Sequence, residues 1–177
     1  MQDMERIKII VVGDGAVGKT SIVSQFAESR FSEEYKLTVG ATFASKTVEV
    51  EGKKVRLSIW DLAGQPRFDE ITQMFFKGAR GVAYVFDLQK PATLKNLTNW
   101  YKRVTKETGN IPAVLVGNKL DLAPESIDDV DAYAKQFAQY LQTVYIKSSA
   151  KQNINIDVIF KELVSRIFRT KDVKIVH

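Results

Sequence analysis

Gly13-Asp14-Gly15-Ala16-Val17-Gly18-Lys19-Thr20 follows directly on the apolar run Ile7-Lys8-Ile9-Ile10-Val11-Val12. The run has the pattern of a buried strand. After the glycines, Ile22, Val23 and Phe26 return on one face of a helix. Strand, glycine loop and helix with the spacing G-x-x-x-x-G-K-[ST] make a phosphate-binding loop. The residues between Gly13 and Gly18 let the backbone wrap a phosphate, with the N–H groups of Gly15, Ala16, Val17 and their neighbours through Ser21 turned toward it. Gly13 and Gly18 supply conformations that a Cβ hinders, and the helix adds its positive end. Lys19 then reaches the β- and γ-phosphates, and the Thr20 hydroxyl becomes a Mg²⁺ ligand. The bland alternative, a turn that merely joins strand to helix, is disfavoured by this context. A bound nucleoside phosphate is expected.

Outward from the loop, strands and helices alternate. Val55, Leu57 and Ile59 alternate with polar residues, and Glu51-Gly52-Lys53 joins them by a hairpin turn to a strand around Val48–Val50. Val82–Phe86 and Ala113–Val116 are continuous apolar runs, hence fully buried strands. Val144–Ile146 is a short further strand. Leu94, Leu97, Tyr101 and Val104 form one helical face, and Val130, Tyr133, Ala134, Phe137 and Leu141 form a second. Ile156, Ile159, Phe160, Leu163 and Ile167 form the last. The pattern predicts an α/β protein with a mostly parallel sheet and helices on both faces. Its ligand is expected at the carboxyl ends of the strands. At 177 residues, one domain over 1–177 is expected, with a core of about 6–169 and a tail over 170–177.

Composition removes several chemistries. There is no cysteine, and the single histidine, His177, is terminal, which excludes disulfides, thiol nucleophiles and histidine-dependent triads. No secretory leader or apolar span of about 20 residues occurs, so a cytoplasmic chain is expected. The net charge of +5 is spread without a like-charge block, and nucleic-acid binding is not expected from it.

Two more strand ends specify the base. Asn118-Lys119-Leu120-Asp121 follows the strand Ala113–Val116. A carboxylate at Asp121 accepts from both the ring N–H and the exocyclic amine of guanine; adenine would leave it desolvated and unpaired, at a cost of roughly 1–3 kcal/mol. Ser148-Ser149-Ala150-Lys151 follows the next strand, where a backbone N–H can donate to guanine's carbonyl. Each string alone is an ordinary turn or cap sequence; their order at successive strand ends is what carries the reading.

With these motifs, together with Trp60-Asp61-Leu62-Ala63-Gly64-Gln65 and Thr38-Val39-Gly40, the chain resembles the small GTPases of the Ras superfamily from Ile7 to about Phe168, most of all the Rab branch. The resemblance implies a P-loop NTPase fold (a small G domain) with a six-stranded sheet and one antiparallel edge strand. It implies that Asp61 holds Mg²⁺ through water, that the Gly64 N–H meets the γ-phosphate, and that Gln65 orients the attacking water. Thr38 would close onto Mg²⁺ in the triphosphate state, and Phe31 would pack on the guanine. Lys119 would cover a face of the base, and Asn118 would brace the phosphate loop. A side chain at Gly15 would crowd Gln65. The protein implied is a switch that binds GTP and GDP with Mg²⁺ and hydrolyses GTP slowly. Its loops around Phe31–Thr42 and Gly64–Gly78 would respond to the γ-phosphate.

The implied partners are an exchange factor, an activating protein and effectors meeting Phe43, Trp60 and Phe75; partial burial in a core is the equal alternative for that trio. No arginine finger in cis is expected: Tyr35-Lys36-Leu37 precedes Thr38, and Arg30 sits outside the family geometry. An arginine supplied in trans would be worth ~10³–10⁵ in rate. Pro66 stands where Rabs carry Glu, stiffening the second switch. With neither a cysteine for prenylation nor Gly at position 2, either the tail was trimmed or the chain works without a lipid anchor. Arg166, Arg169, Lys171 and Lys174 alone give weak membrane adhesion, about 1 kcal/mol per charge. Rab-like trafficking or signalling by a monomer is the expected setting. The rivals are a P-loop kinase or ATPase, against which Asp121 and Ser149-Ala150 speak, and a GTP-binding scaffold that does not hydrolyse, against which Gln65, Thr38 and Gly15 speak.

Overall fold

The computed structural model describes residues 4–29, 31 and 40–175, with side chains through 170. Thr38, Arg30, Tyr35–Leu37 and His177, singled out above, lie outside the described residues.

Six strands form one sheet: β1 (Glu5–Val12), β2 (Ala41–Val50), β3 (Lys53–Leu62), β4 (Gly81–Asp87), β5 (Ala113–Asn118) and β6 (Tyr145–Lys147). Their spatial order is β2-β3-β1-β4-β5-β6. All neighbours are parallel except β2 and β3, which form the antiparallel edge pair. Glu51 (φ 54) and Gly52 (φ 77) make the tight turn between them, the left-handed pair that suits the twist of a hairpin.

Six helices are described: α1 (Lys19–Glu28), α2 (Asp69–Gln73), α3 (Pro91–Lys95), α4 (Leu97–Thr108), α5 (Asp128–Tyr140) and α6 (Ile156–Ile175). The period-2 geometry of β1 explains the layers. Ile7, Ile9 and Val11 face α1 and α6, where Phe26 and Phe160 stack with centroids 4.1 Å apart. Ile10 and Val12 face the other core, with Leu94, Leu97, Trp100, Val104 and Phe137.

Two expectations need correction. The helix expected through Leu94–Val104 is divided at Asn96, whose backbone stays helical (φ −71, ψ −12) while its side chain is drawn to Asp14. Tyr133 is exposed, and Ala138 takes a place in the core. The rest of the expected α5 face holds: Val130 and Leu141 pack against the core beside Ala134, Phe137 and Ala138.

The sheet grows in both directions from β1, with β3 on one side and β4 on the other. Such a reversal opens a crevice at the carboxyl end of the strand, and the Gly13–Thr20 loop occupies that position.

Candidate functional site

The phosphate loop has the required backbone. Gly13 adopts φ +146 and Gly18 φ +99. A Cβ on Gly13 would lie 2.1 Å from the Val85 carbonyl oxygen, and one on Gly18 2.2 Å from Asn118 Nδ2. Both positions therefore demand glycine. Ala16 is also left-handed, at φ 67, and such alternation turns successive amides to one side. Among the described residues, the N–H groups of Gly15, Ala16, Val17 and Gly18 donate no hydrogen bond. Inward donors at the start of α1 fit a phosphate.

Lys19, 6% exposed, donates from Nζ to the Asp14 carbonyl at 2.8 Å. Burial lowers its pKa from 10.5 to about 8, with Asp61 and Asp14 pulling in the opposite direction. The Thr20 hydroxyl donates to Asp61 Oδ2, so two hard oxygens meet beside the loop. Among the described residues, no three or more His, Cys, Asp or Glu side chains are placed so as to hold a metal ion by themselves. A cation here would take these few protein oxygens and complete its shell with phosphate and water, which suits Mg²⁺. Ser21 is half-buried on α1.

Gly64 comes so close to the loop that a Cβ on it would lie 2.3 Å from the Gly15 nitrogen. A Cβ on Gly15 would lie 3.2 Å from Gln65 Nε2, so the family's crowding relation is present in the geometry. Gln65 Oε1 is buried without a hydrogen-bond partner among the described residues. Buried unsatisfied acceptors are rare, and this one fits a role in holding water. Pro66 opens the short 3₁₀ turn Pro66–Phe68 immediately after it.

At the ends of β5 and β6, side chains lock onto the phosphate loop and onto one another. Asn118, 2% exposed, donates from Nδ2 to the Val17 carbonyl at 3.0 Å and accepts from Ser148 Oγ at 3.1 Å. Lys119, in the left-handed region at φ 68, donates to the Ala16 carbonyl at 2.6 Å. Its Nζ also lies 3.2 Å from Asp87 Oδ2, an ion pair without hydrogen-bond alignment. Asp121 Oδ1 accepts from Ser149 Oγ at 2.7 Å. The Ala150 carbonyl accepts from Gln25 Nε2 at 2.7 Å, and Lys151 is exposed. Phe31 is half-buried against the core that contains Phe26.

Sequence reasoning missed three parts of this assembly. Asp87 ends β4 as a buried carboxylate, a signal of the same kind that drew attention to Asn118 at the end of β5. Ser148 was seen only as a member of its string. Asp14 was passed over, although a carboxylate inside a phosphate loop demands donors; its Oδ1 accepts from Asn96 Nδ2 at 2.5 Å and Trp100 Nε1 at 3.1 Å.

Phe43, Trp60 and Phe75 form a surface row, with centroids 4.9 and 5.2 Å apart along it. Phe43 is 52% exposed and the other two are half-buried.

Fold and loop define a P-loop nucleotide-binding protein. The Ras family model matches residues 8–169. Human Ras-related protein Rab-12 is 39% identical over 166 residues, spanning 93% of this chain and 68% of that protein. Rab-1A of Dictyostelium discoideum is 36% identical over 161 residues, 90% of this chain and 79% of its own. RABA2a of Arabidopsis thaliana is 35% identical over 166 residues, 92% and 75% respectively. The chain belongs to the Ras family and is closely related to its Rab branch. It is a nucleotide-binding switch that cycles between GTP- and GDP-bound states and hydrolyses GTP. Family membership implies Mg²⁺, exchange factors, activating proteins and effectors. Among the described residues, no helix is long and apolar enough to cross a membrane.

Proposed function

We propose that the residues gathered at the strand ends carry the GTPase cycle as one G domain spanning the chain. Asp121, held by Ser149, selects guanine; the Ser149–Lys151 backbone receives its carbonyl, Lys119 covers the base and Phe31 borders it. Asn118 keeps the loop closed around the phosphates through Val17. The amides of Gly13–Ser21 and the Lys19 ammonium bind the β- and γ-phosphates. Thr20, Asp61 (through water) and Thr38 hold Mg²⁺. When bound, Mg²⁺ neutralises charge on the β- and γ-phosphate oxygens.

Hydrolysis then needs a placed water and a tolerant electrostatic environment more than covalent chemistry. Gln65 orients that water, and the Gly64 N–H registers the γ-phosphate. The observation that carries the reading is the pairing of Gln65 with Gly15: the glutamine amide lies 3.2 Å from where a Cβ there would stand, with a buried oxygen that has no partner among the described residues. Unaided turnover is slow, and an activating protein inserts an arginine. Effectors read the Phe43–Trp60–Phe75 row, in Rab-like trafficking or signalling. In this reading the chain works as a monomer in the cytoplasm, and its basic residues Arg166 and Arg169 add a weak, salt-sensitive attraction to anionic membrane surfaces.

Two measurements test this. In competition binding, Asp121→Ala should reduce the preference for GTP over ATP by about tenfold or more, the equivalent of losing a carboxylate paired with the base. An unchanged preference refutes the base assignment. In single-turnover phosphate release, the wild-type chain should be slow and Gln65→Leu slower still. No release by the wild-type chain, with tight GTP binding retained, would make it a scaffold.

A further inference from the structure

Arg103 lies on α4, one turn beyond Trp100. Its guanidinium donates to Asp69 Oδ1 at 3.1 Å, to the Asp69 carbonyl at 3.0 Å and to Thr72 Oγ1 at 3.0 Å. It also lies over the rings of Trp100, at 4.6 Å, and Phe76, at 5.5 Å. A planar fork that donates in several directions while stacking on aromatic rings is a job lysine does only in part. The partners differ in burial: the Asp69 side chain is 46% exposed, so its backbone carbonyl and Thr72 carry most of the hold. Thr72 is fully buried and Asp69 opens α2. Trp100 donates its indole N–H to Asp14 inside the phosphate loop.

The same contacts lead to Gln65. Asp69 directly follows Phe68, whose backbone N–H donates to the Gln65 carbonyl at 3.0 Å. The Gln65 side chain sits where it nearly touches Gly15. Arg103 therefore grips the far end of the short 3₁₀ turn Pro66–Phe68, whose near end is the glutamine, and it rests on the ring that donates to the loop opposite.

We propose that Arg103 is a positioning residue for GTP hydrolysis: through Asp69 it fixes where Gln65 stands, and through Trp100 it refers that position to the phosphate loop. The proposal rests on the reading of Gln65 as the residue that orients water. It assigns to α4 a part in setting the hydrolysis rate, without contact with the nucleotide.

The test is single-turnover GTP hydrolysis and GDP affinity in the full chain carrying Arg103→Ala, Arg103→Lys, Gln65→Leu, and Arg103→Ala with Gln65→Leu. Arg103→Ala should slow hydrolysis about threefold to tenfold, the size of a coupled interaction lost from a set. GDP affinity should move by less than about twofold, since the lost contact serves hydrolysis rather than ground-state binding. Arg103→Lys should recover part of the rate. In the Gln65→Leu background, Arg103→Ala should cost nothing further. The same fold loss in both backgrounds would overturn the proposal, because Arg103 would then act independently of Gln65; so would an unchanged rate in folded Arg103→Ala. If Gln65→Leu itself leaves the rate intact, the reading of Gln65 fails and the proposal falls with it, a result separable from the others. Should Arg103→Ala not fold, Asp69→Asn, which keeps the shape and removes the charge, carries the same comparison.

Discussion

Raising the pH should weaken nucleotide binding through Lys19, whose ammonium is buried beside the phosphate loop. In the free protein, burial brings this ammonium down from 10.5 to about 8. The difference is a cost of about 3 kcal/mol for keeping the charge in place. Phosphate oxygens around Nζ would offset that cost and raise the bound-state value well above the free one. Binding is then independent of pH while the free protein keeps its proton. Above about 8 each binding event must take up a proton, and affinity falls toward tenfold per pH unit. Between about pH 7 and about pH 9.5 the loss should approach thirtyfold. Stability of the nucleotide-free chain should move the other way. In the unfolded state the lysine titrates near 10.5, so between about 8 and that value the unfolded chain holds more protons and the folded state gains stability as pH rises. Calorimetric titration of GDP with Mg²⁺ across this range, on the wild-type chain and on Lys19→Met, checks the first claim. Ionisation of the guanine ring affects both proteins, so their difference isolates the lysine. Parallel losses of affinity in the two would refute the reasoning.

Gly15→Val should slow single-turnover hydrolysis at least as much as Gln65→Leu, because even its Cβ would stand 3.2 Å from Gln65 Nε2; GDP affinity should change little, and an unaltered rate would count against the Gln65 assignment. Asn118→Ala removes the donor to Val17 and the acceptor of Ser148 together. It should speed GDP release and lower thermal stability by about 1–3 kcal/mol, as expected for a buried hydrogen-bonding group whose partners are left behind. Phe43→Ala alters a side chain that is 52% exposed but packs on Trp60, so unfolding should shift by about 0.5–1.5 kcal/mol. Capture of proteins selective for the triphosphate state should nonetheless drop, and undiminished capture would remove Phe43 from the effector surface.

The parts of this molecule legible in the sequence are those whose chemistry is written within a few consecutive residues. Gly13–Thr20, Asn118–Asp121 and Ser148–Lys151 each combine a turn with a donor or acceptor set, and their order at the ends of successive strands marks them together as a candidate site. The sheet was legible for a similar reason: the continuous apolar runs of β4 and β5 leave no polar face to expose. What could not be read is what depends on distant packing. The break at Asn96 has no local signal, because it accompanies a bond to a carboxylate 82 residues away; Trp100 meets the same atom across 86. The exposure of Phe43 against the half-burial of Trp60 and Phe75 is likewise set by how β2, β3 and the segment after α2 come together. The motifs point to the chemistry proposed. The long-range bonds connect the loops that do it, and nothing in the local sequence around Asp14 or Asp69 identifies Trp100 or Arg103 as the partner. Two chains with the same motifs can therefore differ in how tightly Gln65 is held, and it is on α4, outside every nucleotide motif, that such a difference would be found.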